Sequence, residues 1–334
     1  MSELSKQATS INSSYPPAFS GKFFVPRFWV TWLGLGLLAL LALLPAGVRR
    51  WLGRYIGDLA FRRHHKRRAI VATNLAWCLP EREETARDEM ARAYFRLMAQ
   101  SFLDYGLLWW GSRKRIDRLV SLEGGELLQA QRDAGRPVIL LTSHNIGLDF
   151  GAAALTRLFP SVGLVKQARN PLFDWCMAKG RTRFLGILFR REEGMRPVIR
   201  AIKKGHAFYY LPDEDLGPDN ATFVPFFGVQ TATIDALSRL AKLGGAAVLP
   251  FTTIYRPDQG KYVARISPPL DNFPGDDTVA DTARMNRELE KLIRQAPEQY
   301  MWSMRIFQTR PDGSPPPYTM KGKAGSGHRE RPTD

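Results

Sequence analysis

In RPVILLTSHNIGLDF, residues 136–150, an apolar run ends on His144 and an acid follows at Asp149. A histidine just past a strand end sits at the lip where α/β folds present functional groups. If a helix starts near Asn145, Asp149 lies about one and a half turns along it, and a loop that folds back brings its carboxylate toward the imidazole. Such a pair lets the acid fix the ring tautomer while the other nitrogen takes a proton from a substrate hydroxyl. The bland alternative uses the same residues: Ser143 or Asn145 as helix cap, His144 packed in a loop, and Asp149 as a solvated acid favoured near a helix N-terminus. The H-x4-D spacing alone is weak evidence for chemistry. Ser143 is a poor nucleophile for this histidine, because adjacent side chains on an extended chain diverge. No G-x-S-x-G elbow, Walker loop or dinucleotide fingerprint occurs.

The elements that must position these residues follow from the texture of the chain. From about residue 120, strand candidates at 138–142, 161–165, 207–211, 246–251 and 262–266 alternate with helical stretches at 147–159, 171–185, 195–204 and 231–243. This alternation predicts an α/β domain over residues 119–312 built on a central sheet flanked by helices. A last helix is expected over 278–295, stopped by Pro297. Residues 49–118 read as helical, with Ala91, Tyr94, Phe95, Met98, Phe102, Tyr105 and Leu108 near a 3.6-residue period. Met and aromatic residues at that spacing are core packing more often than a cofactor box. The tails, residues 1–26 and 313–334, read as disordered.

Charge and hydropathy narrow the partners. The chain has 334 residues and a formal net charge of +16, which calls for an anionic partner. Phe28 to Val48 carries no charged residue, so residues 27–48 are expected to form a transmembrane helix. Arg49, Arg50, Arg54 and the FRRHHKRR run follow directly, against only Lys6, Lys22 and Arg27 before it. The positive-inside bias then places the large C-terminal part in the cytoplasm, as a single-pass protein. A basic stretch beside a span reads as a contact with anionic membrane lipid rather than a nucleic-acid arm. Cys78 and Cys176 lie far apart without metal-ligand spacing, so neither a disulfide framework nor a zinc site is expected. The acids of DED, Asp213 to Asp215, point in different directions on an extended turn, and no metal is expected there either.

The segments HNIGLDF, QARNPLFDWCMAKGR, AIKKGHAFYYLPDEDLGPDNATFVPFFGVQTAT and APEQYMWSMRIFQTRP occur in that order. Together they closely resemble the late acyltransferases of lipid A biosynthesis, the lauroyl/myristoyl transferase family, from the apolar N-terminal segment to about Pro317. LPDEDLGP…FVPFFG and PEQYMW are specific to that family, whereas H-x4-D is shared among many glycerolipid acyltransferases. The resemblance implies a glycerolipid-acyltransferase-like fold with a mixed sheet, in the bacterial inner membrane. It implies transfer of a fatty acyl chain from acyl carrier protein to a hydroxyl of a phosphorylated glycolipid, a Kdo2-lipid IVA type acceptor, without a cofactor. His144 would then be the general base and Asp149 its orienting acid, where many relatives carry glutamate. Arg181 and Asp213 match two further functional positions of the family. An arginine can clamp phosphate or stabilise an oxyanion, and Asp213 falls at the carboxyl end of a strand. Lys166, Arg169, Arg190, Arg191, Lys203 and Lys204 are candidates for lipid phosphates or an acidic carrier protein, and FVPFFG for an acyl groove, an apolar lip against the bilayer or ordinary packing. Rival readings are an acyltransferase for another glycolipid or a lysophospholipid, and a catalytically silent lipid- or carrier-binding scaffold.

Overall fold

The computed structural model describes Ile11 and residues 13–318. The first third of the described chain is helical: α1 (Trp29–Leu41), α2 (Ala46–Arg63), α3 (His65–Cys78), α4 (Glu84–Trp110) and α5 (Arg113–Leu119). The rest alternates: β1 (Val120–Glu123), α6 (Gly125–Asp133), β2 (Val138–Leu141), α7 (Leu148–Thr156), β3 (Ser161–Val165), α8 (Pro171–Arg181), β4 (Gly186–Arg190), α9 (Arg196–Lys203) and β5 (Ala207–Tyr210). A hairpin, β6 (Ala221–Phe226) and β7 (Val229–Ile234), precedes α10 (Ala236–Gly244), β8 (Ala247–Arg256), β9 (Lys261–Ile266) and α11 (Thr278–Arg294).

Seven strands form one mixed sheet in the order β1-β9-β8-β2-β5-β3-β4, in which only the β8–β9 pair is antiparallel. Its central strands β2 and β5 are buried along their whole length. Such continuous apolar strands are what a sheet covered on both faces requires. One core lies under α3, α4, α9, α10 and α11, and the other under α1, α7 and α8. The hairpin sits apart from the main sheet and lays Phe226 and Phe227 into the first core. A helix was expected over 231–243; instead the hairpin turns at Phe227 and Gly228, both with positive φ, and the helix begins only at Ala236.

The expectation of a transmembrane helix over 27–48, and with it a single-pass protein, is overturned. Among the described residues no helix is long and apolar enough to cross a membrane. Helix α1 has 13 residues, which at ~1.5 Å per residue is about 20 Å against a hydrocarbon core of ~30 Å. The apolar run is broken by a turn before Pro45, which lacks an amide hydrogen and disfavours helix at the residue preceding it. The next helix, α2, brings Arg49 and Arg50 within its first turns. One side of α1 is also spoken for within the protein: Leu35 and Leu38 are buried with Leu107 of α4. Gly106 has no side chain there, so the Leu38 carbonyl can come close to α4. The expected disorder of residues 1–10 and 319–334 lies outside the described residues. From residue 13 onward the N-terminal segment packs on the protein, with Tyr15, Phe23 and Phe28 buried.

Candidate active site

Two neighbouring parallel strands bring the histidine and its acid together. In the β2–β5 register Leu141 faces Tyr210, and the Thr142 amide continues the ladder to the Tyr210 carbonyl at 3.0 Å. His144 and Asp213 each lie three residues beyond that matched pair, so they emerge side by side at the carboxyl end of the sheet. Asp213 Oδ1 lies 2.7 Å from His144 Nδ1, and Oδ2 accepts the His144 backbone N–H at 2.7 Å. The carboxylate, bonded through both oxygens, fixes the ring and its loop and engages Nδ1 rather than Nε2. Burial pushes the imidazole toward its neutral form, but the charge and hydrogen bond of Asp213 more than offset this, so its pKa is held above the ordinary value.

Asp149 has other partners. It stands in the first turn of α7 and is buried. Arg181, the last residue of α8, grips it through two N–H groups, Nε at 2.7 Å and Nη2 at 3.1 Å, and the Tyr105 hydroxyl of α4 donates to it at 2.6 Å. Among the described residues no hydrogen bond joins Asp149 to His144. Burial would raise the Asp149 pKa, but the Arg181 guanidinium and the Tyr105 hydroxyl outweigh it and hold it low. The Tyr105 phenol is driven up by burial and by the Asp149 charge. Close packing sets this cluster. Gly151 lies so near Thr253 of β8, and Gly180 so near the Trp109 ring of α4, that neither site has room for a Cβ.

Residues of the PEQYMW segment hold the histidine loop. The Ile146 amide donates to Gln299 O and the Met301 amide to His144 O, both at 2.9 Å, so PEQYMW runs as a bridge beside HNI. Gln299 is itself buried and exchanges two hydrogen bonds with the Tyr255 backbone. Asn74 of α3 ties down the Trp302 and Met304 carbonyls. The three acids of DED take separate partners: Asp213 the histidine, Glu214 Arg191, and Asp215 the Thr309 amide and hydroxyl.

His144, Asp149 and Arg181 share the wall of a cavity of about 390 Å³. From them it runs between β3, β4, α4 and α8 past apolar side chains such as Met98, Phe102, Leu164, Met177, Ile187 and Leu188. Lys166 and Arg191 lie on its lining as well. Of the residues singled out in the sequence, His144 and Asp213 are bonded to each other, Asp149 and Arg181 form the second pair, and Arg169 is exposed in the loop after β3, off the cavity lining. The FVPFFG segment is core rather than groove, with Phe226 against Tyr300 and Phe227 against Trp302. Sequence reasoning missed Tyr105, which it read as one member of a packing stripe. The available signal was its hydroxyl, since a buried tyrosine needs a partner for its O–H.

The sequence profile of the family described as bacterial lipid A biosynthesis acyltransferase matches residues 16–309. The lipid A biosynthesis lauroyltransferase of Escherichia coli (strain K12) is 37% identical over 303 residues, covering 90% of this chain and 99% of the relative. The myristoyltransferase of the same organism is 33% identical over 315 residues, covering 93% and 96%, and its palmitoleoyltransferase 33% over 296 residues, covering 88% and 96%. The matched span takes in the histidine loop, the Arg181 helix end and the PEQYMW bridge, and the chain therefore belongs to the bacterial lipid A biosynthesis acyltransferase family.

Proposed function

We propose that this protein transfers a fatty acyl chain from the thioester of acyl carrier protein to a hydroxyl of a phosphorylated lipid A precursor, a Kdo2-lipid IVA type acceptor. The observation that carries this reading is the His144–Asp213 couple, with His144 in the wall of a largely apolar cavity that Arg181 also lines. In this reading His144 Nε2 removes the acceptor hydroxyl proton as the oxygen attacks the thioester carbonyl. Asp213 holds the Nδ1 proton and stabilises the imidazolium that forms. Arg181, held by Asp149 through Nε and Nη2, is the cation that stabilises the oxyanion or binds an acceptor phosphate in this reading. The tetrahedral intermediate expels the thiolate, which takes the proton back from the imidazolium. The acyl chain lies in the cavity beyond.

Charge and shape support the two macromolecular partners. The net charge of +16 suits an acidic carrier protein. The outer side of α1 presents Trp29, Val30, Leu33, Leu37 and Leu40 to the outside, all more than half exposed. On α2, Trp51 and Tyr55 are also exposed and stack on each other, and Arg50 and Arg54 stand near them in sequence. An apolar helix face with aromatic and basic neighbours is suited to lying in the interface of an anionic lipid surface.

The test is transfer by purified protein from acyl carrier thioesters to the tetraacylated lipid A precursor, followed by mass spectrometry. His144→Ala is expected to lose at least ~100-fold in rate. Undiminished transfer by that variant overturns the mechanism, and equal transfer to lysophospholipids and the lipid A precursor overturns the choice of acceptor.

A further inference from the structure

The N-terminal segment ahead of α1 is built into the edge of the proposed site. Strand β4 is the last strand of the sheet, and the Ser13 hydroxyl donates to its Leu188 carbonyl. An edge strand otherwise presents unpaired backbone groups, so the segment covers what would be an exposed edge. Tyr15 is 4% exposed and packs in one cluster with Val165, Leu188 and Ala178. Val165 and Leu188 are also cavity wall, so the Tyr15 ring backs the surface that the proposed acyl chain meets.

The phenol reaches further. Tyr15 OH donates to Asp174 Oδ2 at 2.7 Å, and Asp174 Oδ1 accepts the Ala168 amide at 2.7 Å. Asp174 lies in the first turn of α8, the helix that ends in Arg181 and contributes Met177 to the cavity. The Ala168 amide belongs to the loop that carries Lys166 at the cavity edge. Further along, Phe19 and Phe23 contact the Trp175 ring of α8 at 5.0 and 6.4 Å between centroids, and Asn170 donates to Thr31 of α1 at 2.7 Å. A buried hydrogen bond, a half-buried one and aromatic contacts thus join residues 13–31 to the N-terminal part of α8, and Tyr15 packs in one cluster with Ala178 one turn further on.

We propose that residues 13–24 form a fixed outer wall of the acyl cavity, and that Tyr15 is a positioning residue that sets which chain lengths the cavity accepts, acting through Val165, Leu188 and α8. The proposal rests on reading the cavity as the acyl site. Removing the ring takes away the backing of Val165 and Leu188, so that wall can give way to a longer chain. Removing only the hydroxyl leaves the backing and frees one oxygen of Asp174.

Full-length wild type, Tyr15→Ala, Tyr15→Leu and Tyr15→Phe are titrated with dodecanoic, tetradecanoic and hexadecanoic acids by calorimetry. They are then given an equimolar mixture of the three acyl carrier thioesters with the tetraacylated precursor. One buried methylene is worth about a fourfold change in binding. Tyr15→Ala is expected to shift the hexadecanoic-to-dodecanoic ratio toward the longer chain by at least that factor in both measurements. Tyr15→Leu is expected to shift it in the same direction and serves if the alanine variant does not fold. Tyr15→Phe is expected to keep the wild-type ratio with a lower rate. Folded alanine or leucine variants with the wild-type ratio overturn the proposal, as does a wild type that binds no fatty acid. A wild type that binds fatty acid with the expected shifts but transfers nothing leaves the wall in place and overturns the acyltransfer reading instead.

Discussion

Two buried carboxylates serve one cavity, Asp149 from its wall and Asp213 from behind His144, and their surroundings make them different instruments. Asp213 faces a histidine and a backbone amide, partners that hold it without a permanent cation. Asp149 faces a guanidinium and a phenol. The first arrangement holds a titrating group in place and raises its pKa. The second is an ion pair whose partner does not titrate near neutrality, an arrangement suited to fixing geometry rather than to moving a proton. An acid five residues after a histidine is thus less informative than the strand that runs beside it.

Breaking each carboxylate should separate the two roles. The largest effect is expected at the histidine couple. Asp213→Ala removes the group that orients the ring, and steady-state assay should show a fall in kcat of at least ~100-fold, comparable to His144→Ala. Asp149→Ala leaves Arg181 without its counterion and Tyr105 without its acceptor. Breaking a buried pair from one side costs roughly 3–5 kcal/mol, somewhat less here because Arg181 is 23% exposed. Denaturant unfolding should register that loss, alongside a smaller fall in kcat/KM than at Asp213. Tyr105→Phe removes a single hydrogen bond to a charged group and is expected to cost about 1.5–3 kcal/mol of stability, with activity reduced only a few-fold. The smallest effect belongs to the remote surface. Leu33→Gln with Leu37→Gln should weaken flotation with anionic vesicles while leaving transfer to detergent-dispersed acceptor unchanged; loss of dispersed activity would contradict a purely interfacial role for α1.

The pH dependence of stability separates the same pair. His144 has a raised folded pKa, so its contribution is complete below the ordinary histidine value of about 6.5 and fades as pH rises through the folded value. Asp149 has a lowered folded pKa, so its contribution is complete above the ordinary aspartate value of about 3.9 and is lost as pH falls through the folded value. His144→Gln should therefore flatten the stability curve on the neutral side and Asp149→Asn on the acid side, as read by unfolding midpoints across pH.

What could be read in advance was local. The apolar runs at 138–142, 161–165 and 207–211 announce β2, β3 and β5 because strands buried on both faces are uniformly apolar. His144 and Asp213 could be named from residue type and position at strand ends. Their pairing could not, since it depends on β2 and β5 being sheet neighbours in a particular register. The H-x4-D spacing left open whether Asp149 meets His144, and the orienting role came only from the resemblance; in the structure the Asp149 carboxylate bonds Arg181 of α8 and Tyr105 of α4. Hydropathy counted the apolar residues of 28–48 without showing that Pro45 ends the run and that Leu35 and Leu38 face α4. Tyr105 was hidden because a packing stripe and a hydrogen-bonding tyrosine have the same helical spacing.

The most direct measurement is the pH dependence of kcat/KM for wild type, Asp213→Asn and Asp149→Asn with an acyl carrier thioester and the tetraacylated precursor. His144 must be neutral to accept a proton, so the wild-type rate should rise with pH through a midpoint above the ordinary histidine value. Asp213→Asn should lower that midpoint as well as the plateau, because it removes the charge that holds the imidazole pKa up. Asp149→Asn should lower the plateau and leave the midpoint near the wild-type position. A midpoint that moves with Asp149→Asn and stays fixed with Asp213→Asn would contradict the assignment of Asp213 as the partner of the base.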